Sequence, residues 1–209
     1  MLMKTRLISI LLMLASLASF AQNANDKQQE FEQELKSKNE NVTSIKCSFT
    51  QTREVSVLAN TVKKEGVYYF QRPGNMLLEF NDGDFIKMTE KWFEMNTAGN
   101  ITTTKVTANP MLKNLNAILT ACVAGNFEEM GKGFTIDLEE KENEWIVTLM
   151  PKRGKAASKI DRILIHFDKK DMSLNNLNMI EKTGDYTMYT FYQKEFNIAI
   201  DNQLFNTSK

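Results

Sequence analysis

The sequence predicts a mainly β protein, an antiparallel meander closing into a barrel or strongly curved sheet with helices against one face. Two observations carry this. Short stretches of alternating apolar and polar residues recur along most of the chain between turn signals, and only two segments show apolar residues at helical spacing instead. A sheet covered on one side only has a floor, walls and a lid, which is the geometry of a ligand cavity.

The chain of 209 residues begins Met-Leu-Met-Lys-Thr-Arg, continues with an apolar run from Leu7 to Leu17, and then reads Ala18-Ser19-Phe20-Ala21. These are the charged start, apolar core and small-residue cleavage site of a signal peptide spanning residues 1–21. A run of about 11 apolar residues is too short to cross a bilayer. Gln22, not cysteine, follows the cut, so the chain is expected to be soluble in the periplasm after cleavage and not lipid-anchored. Residues 22–209 suit one domain. The 26 Lys and Arg balance the 26 Asp and Glu, and loss of Lys4 and Arg6 leaves a slight acidic excess. No nucleic-acid partner is expected from such a balance.

Residues 25–38 place Phe31 and Leu35 four apart among charges, with Asp26 available as a cap, and predict an amphipathic helix. Ile45, Cys47 and Phe49 then alternate with polar residues as in a half-buried strand. Gly66 to Arg72, the turn Pro73-Gly74, and Met76 to Phe80 predict strand, turn, strand. Further strands are expected at 85–89, 91–95, 101–106, 134–139, 144–150, 160–167, 174–181 and 186–196. One segment departs from this period: Asn109-Pro110 opens residues 111–124, where Leu112, Leu115, Ile118, Leu119 and Val123 recur at helical spacing before Gly125.

Catalytic chemistry is hard to assemble from these residues. The single histidine, His166, alternates with Ile165 and Phe167 and belongs on the solvent face of its strand. One histidine and two distant cysteines make neither a zinc site nor a thiol–imidazole pair, and no glycine-rich phosphate loop or cofactor motif is present. The acidic pairs Glu128-Glu129 and Glu139-Glu140 sit in or beside polar turns, as solvated charges do. No enzyme activity, metal or cofactor is expected. Cys47 and Cys122 are a candidate disulfide in an exported chain, closing a loop of roughly 75 residues at a gain of about 4 kcal/mol; two buried free thiols are the alternative. Nine of the twelve methionines lie beyond the signal peptide, alongside abundant phenylalanine. Methionine adapts to irregular partners, although ordinary core filling accounts for most such positions.

Three motifs in order carry a resemblance. Ile45-Lys-Cys-Ser-Phe-Thr-Gln-Thr-Arg53 contains a Phe-x-Gln strand behind an amphipathic helix. Lys64-Glu-Gly-Val-Tyr-Tyr-Phe-Gln-Arg-Pro-Gly-Asn-Met-Leu-Leu-Glu-Phe80 joins a glycine, an aromatic strand, an Arg-Pro turn and a following strand. Leu174 to Glu181, the turn Thr183-Gly184-Asp185, an aromatic strand through Phe196 and Ile200-Asp-Asn-Gln-Leu-Phe205 make the third. Together they resemble the LolA-like periplasmic carriers of outer-membrane lipoproteins over nearly all of residues 22–209.

The resemblance implies an unclosed β-barrel capped by helices, enclosing an apolar cavity for acyl chains. It implies as partners acylated lipoproteins, an inner-membrane lipoprotein-releasing transporter and an outer-membrane acceptor, with the carrier itself a monomer. Arg72 matches the family's arginine for lid closure and handover. Cavity candidates are Phe49, Tyr69, Phe70, Met76, Leu78 and Phe80 from the strands, and Leu112, Leu115, Ile118 and Leu119 from the covering helix. Leu77-Leu78 stands where the best-known carriers have an aromatic after the turn. The sequence ends at Lys209, where those carriers continue into a further strand tied to directional delivery. The same fold is also compatible with binding or sensing another lipid or glycolipid. A secreted hydrolase is the reading from another class, and it needs a polar triad that a lone histidine does not supply.

Overall fold

The computed structural model describes residues 26–56, 60–108, 110–124, 133–152 and 159–208. The signal peptide expected at residues 1–21, Asn109, Gly125 and Glu128-Glu129 lie outside them. The described strands are β1 (Ser44–Val55), β2 (Asn60–Gln71), β3 (Asn75–Phe80), β4 (Phe85–Met88), β5 (Trp92–Thr97), β6 (Asn100–Lys105), β7 (Phe134–Glu140), β8 (Glu144–Pro151), β9 (Ile160–Asp168), β10 (Leu174–Glu181) and β11 (Tyr186–Phe196). Two helices accompany them: α1 over residues 26–39 and α2 at Pro110–Ala124, between β6 and β7 in the chain.

All strands join one antiparallel sheet in the order β6-β5-β4-β3-β2-β1-β11-β10-β9-β8-β7. Two meanders, β1–β6 and β7–β11, are thus fused where the first strand pairs with the last. The edges are β6 and β7, so the barrel is unclosed.

Alternation puts an apolar ladder on one face. Met95 stands opposite Ile86, Ile86 opposite Leu78, Leu78 opposite Tyr68 and Tyr68 opposite Cys47. Across β1, Phe49 faces Phe191. From Tyr189 the ladder continues through Leu177, Ile165 and Val147 to Leu138. One buried cluster draws from nearly every strand and both helices, which requires the sheet to curl around it.

Each helix covers part of the concave face. Phe31 and Leu35 of α1 are fully buried; the Phe31 ring meets Trp145 at 5.5 Å and Phe167 at 5.3 Å, both edge-on, a geometry that aromatic pairs favour. Glu34 accepts the Trp145 indole N–H at 3.3 Å. From α2, Ile118, Ala121, Cys122 and Val123 enter the same core, at the spacing that puts them on one side of a helix.

Gly66 permits a close approach of backbone and rings. It lies opposite Phe49 on one side and Phe80 on the other, and the two rings pack edge to face over it, centroids 5.1 Å apart. A Cβ at this position would stand 2.1 Å from the Glu79 carbonyl oxygen and 2.9 Å from the Phe49 ring.

The convex face carries a strap. Asp201 caps a 3-10 turn at Asn202–Phe205 by accepting the Gln203 N–H, and Phe205 is buried there. The Lys87 ammonium donates to the Asn206 carbonyl at 2.6 Å, and Ser208 N–H donates to Glu94 at 2.8 Å. Burial raises the pKa of the Glu94 carboxyl, but bonds from Ser208 and Thr103 and the charge of Lys87 hold it below the usual carboxylate range.

The strands differ from expectation mainly at their ends. β2 starts at Asn60, well before Gly66, because its polar first half is held by pairing with Gln51–Val55 rather than by burial. Cys47 and Cys122 are free thiols buried in the core, so the candidate bridge is unformed here. Burial pushes both up to about 12.

Replacing Gly66 with Ala should destabilise the fold by about 1–3 kcal/mol, the range for overpacking a tight site, as read from the midpoint of urea unfolding. At pH 8 a chromogenic thiol reagent should react with the native protein about a thousandfold more slowly than with the unfolded chain, because so little thiolate is present. Fast native labelling would place the thiols outside the core.

Candidate functional site

The two helices fill the concave face unequally. Beneath α1, around Gln28, Phe31, Ile136, Leu138 and Val147, about 10 Å³ is left open. Beneath α2 the packing leaves an apolar cavity of about 70 Å³. Its walls are Tyr68 of β2, Met76 and Leu78 of β3, Ile86 and Met88 of β4, Leu177 and Met179 of β10, and Tyr189 and Phe191 of β11, with Leu119 of α2 above. β4 and β10 are five strand steps apart in the sheet, about 24 Å if it were flat, so their meeting around one void measures the curl.

The lining is uncharged. Burial pushes the Tyr68 phenol well above its ordinary value, and the neighbouring Cys47 and Cys122 add to this. Tyr189 is raised by burial, while the hydrogen bond from Gln51 and the charge of Arg53 pull the other way. The Gln51 amide donates to the Tyr189 hydroxyl at 2.7 Å, the first polar contact beyond the apolar walls.

Among the residues expected from the sequence, Met76, Leu78 and Leu119 line the cavity. Phe49, Phe70, Phe80 and Ile118 are buried in the surrounding cluster. Tyr69 is a correction: it pairs with Leu77 and Lys46 on the other face, and Tyr68 takes the inward place. Adjacent strand residues cannot share a face, so Tyr69 and Phe70 could not both point inward. Leu112 and Leu115 lie in α2, but their side chains are outside the described residues. Ile86, Met88, Leu177, Met179, Tyr189 and Phe191 were not anticipated. The apolar alternation of β4, β10 and β11 was the available signal, and only the pairing of β1 with β11 turns it into a wall.

Arg72 closes one end. Its guanidinium donates to the Asn39 carbonyl at 2.8 Å, at the end of α1, and its Nε to the Val42 carbonyl. A cation bonding the last carbonyls of a helix also complements the helix dipole. Two residues on, Gly74 is buried, and a Cβ there would come within 3.7 Å of the Thr120 hydroxyl of α2. The β2–β3 turn therefore meets both helices. At the same end a β-bulge with Gln193 at φ 56° re-aims Lys194, whose ammonium donates to the Ser173 hydroxyl at 2.6 Å and to Asn175. Asn39 donates to the Met172 carbonyl at 3.2 Å. This end is plugged by polar bonds.

His166 sits on the convex side, 3.0 Å from Glu144. Among the described residues no cluster of His, Cys, Asp and Glu could hold a metal ion, and no helix is long and apolar enough to cross a membrane.

The fold has a counterpart among solved structures. An uncharacterised conserved protein from Thermus thermophilus is similar in fold at a TM-score of 0.52 and 11% identity, over 87% of this chain and 94% of that one. A putative outer membrane lipoprotein-sorting protein domain from Vibrio parahaemolyticus aligns at a TM-score of 0.48 and 10% identity, over 87% and 97%. The Mycobacterium tuberculosis lipoprotein LppX aligns at 0.43 and 9%, over 85% and 99%. No curated protein matches by sequence. The profile of the family described as outer membrane lipoprotein carrier protein LolA matches residues 40–208, from the end of α1 through the convex strap, and the chain belongs to that family.

Proposed function

We propose that this chain is a periplasmic carrier that takes the acyl chains of lipoproteins into the cavity beneath α2 and transfers them from the inner to the outer membrane. The observation that carries the reading is an uncharged void between a curled sheet and a single helix, in a member of the LolA family. Each buried methylene contributes about 0.8 kcal/mol, so acyl chains exposed to water hold a lipoprotein in its membrane unless an apolar host replaces the bilayer. An inner-membrane releasing transporter would load the carrier and an outer-membrane acceptor would unload it.

The cavity is small for such cargo. A void of about 150 Å³ takes one benzene, and this one is about 70 Å³, so loading requires α2 to move away from the sheet. Met76, Met88 and Met179 suit a wall that must repack around chains of different length. Arg72 then acts through the β2–β3 turn: its bonds to Asn39 and Val42 hold in place the turn that abuts α2 at Thr120, so cargo that lifts α2 disturbs them and their return favours release.

Purified protein mixed with a triacylated lipoprotein should yield a soluble one-to-one complex after detergent removal, seen by light scattering. Precipitation of the lipoprotein would end the carrier reading. Arg72→Leu should still take up cargo but hand it over at least tenfold more slowly, since a lost charge-assisted bond is worth about 1.5–3 kcal/mol. Wild-type transfer rates would remove Arg72 from the mechanism.

A further inference from the structure

A second, larger recess of about 280 Å³ lies toward the other end of β1, lined by residues of β1 to β5 and the β3–β4 turn. It shares Ile86 with the apolar cavity, and Gln51, on its wall, is the residue that donates to Tyr189. The two spaces are consecutive, the first apolar and the second mixed. Phe80, Ile86 and Met95 provide apolar surface, while Gln51, Arg53, Lys64, Asp84 and Asn96 provide polar groups.

The charges in this recess are arranged unevenly. Lys64 is committed to Asp82 at 2.7 Å and Asp84 at 2.6 Å. Arg53 is felt electrostatically by Asp185 and Tyr189, yet among the described residues it has no hydrogen bond or ion pair. The lining holds two cations and the single carboxylate of Asp84, and Asp82 behind it helps to neutralise Lys64, so a phosphate drawn by Arg53 would also meet the Asp84 carboxylate. Acceptors are on offer too: the Asn96 amide nitrogen is fixed on the Gly83 carbonyl at 3.0 Å, and its oxygen is buried without a partner. The recess suits an uncharged group rich in carbonyl oxygens that also carries N–H donors.

We infer that this vestibule seats the glyceryl-cysteine linkage and first peptide groups of a lipoprotein whose acyl chains occupy the cavity beneath α2. The Arg53 guanidinium donates to ester and amide carbonyls, and Asn96 and Asp84 accept from peptide N–H groups. This assignment rests on the carrier reading and adds to it a basis for preferring lipoproteins over other diacyl lipids.

Three probes test it by fluorescence and calorimetry: a tripalmitoyl-S-glyceryl-cysteinyl peptide, dipalmitoyl phosphatidylglycerol and the hydrocarbon dye diphenylhexatriene. The wild type should bind the peptide at least tenfold more tightly than phosphatidylglycerol. Arg53→Ala should weaken peptide binding about tenfold, the loss of one charge-assisted hydrogen bond, and leave dye binding unchanged. Equal peptide affinity for variant and wild type, or a wild-type preference for phosphatidylglycerol, overturns the assignment while leaving the carrier reading intact. Failure of the wild type to take up the dye overturns the carrier reading instead.

Discussion

The structure depends on β1 being paired along both sides. Its neighbour β2 follows it in the chain, but its other neighbour, β11, is far away in sequence. Such pairing costs loop-closure entropy before it returns any contact. Phe49 sits at the join: it faces Gly66 and Phe191 in register and packs on the Phe80 ring. Without that join there would be two open meanders, each with an unburied apolar face. With it, residues of β4 and β10 become walls of one space.

The interior is divided into two unlike parts. The part under α1 is aromatic and filled, with Phe31 wedged against Trp145 and Phe167. The part under α2 sets three adaptable methionines among leucine, isoleucine and aromatic side chains around a void. Nine residues separate Ser44, at the plugged end, from Arg53, at the open one, a span of about 30 Å along a strand. Polar closure, apolar middle and amphipathic mouth therefore follow one another along β1 and its partners. The strap fastened at Glu94 and Lys87 leaves this axis clear because it crosses the opposite face.

The strands were legible in the sequence wherever burial enforces alternation. β10 and β11 fall on the residues expected, and α2 starts at Pro110, where the period changes. The polar first half of β2 was invisible, because backbone pairing with β1 leaves no hydrophobic pattern. Facing was the weakest inference, since it rests on a period of two, and Tyr69 was misplaced by one residue. Arg72 was legible only through the family resemblance; its carbonyl partners are Asn39 at the end of α1 and Val42 in the loop after it, thirty or more residues earlier. Besides Tyr68, six cavity-lining side chains escaped notice because only the β1–β11 ladder brings β4 and β10 around one space, which nothing local announces.

The separation of β6 from β7 has a mechanical consequence. In a sealed barrel the girth is fixed by strand number and stagger, and widening it means breaking a ladder. Here the circumference has a gap, and the helix over the void belongs to the stretch of chain that links the two rims. The wall can therefore spread by flexing its twist, with every interstrand hydrogen bond intact, and the resistance to swelling comes from side chains sliding past one another and from the polar bonds at the plugged end.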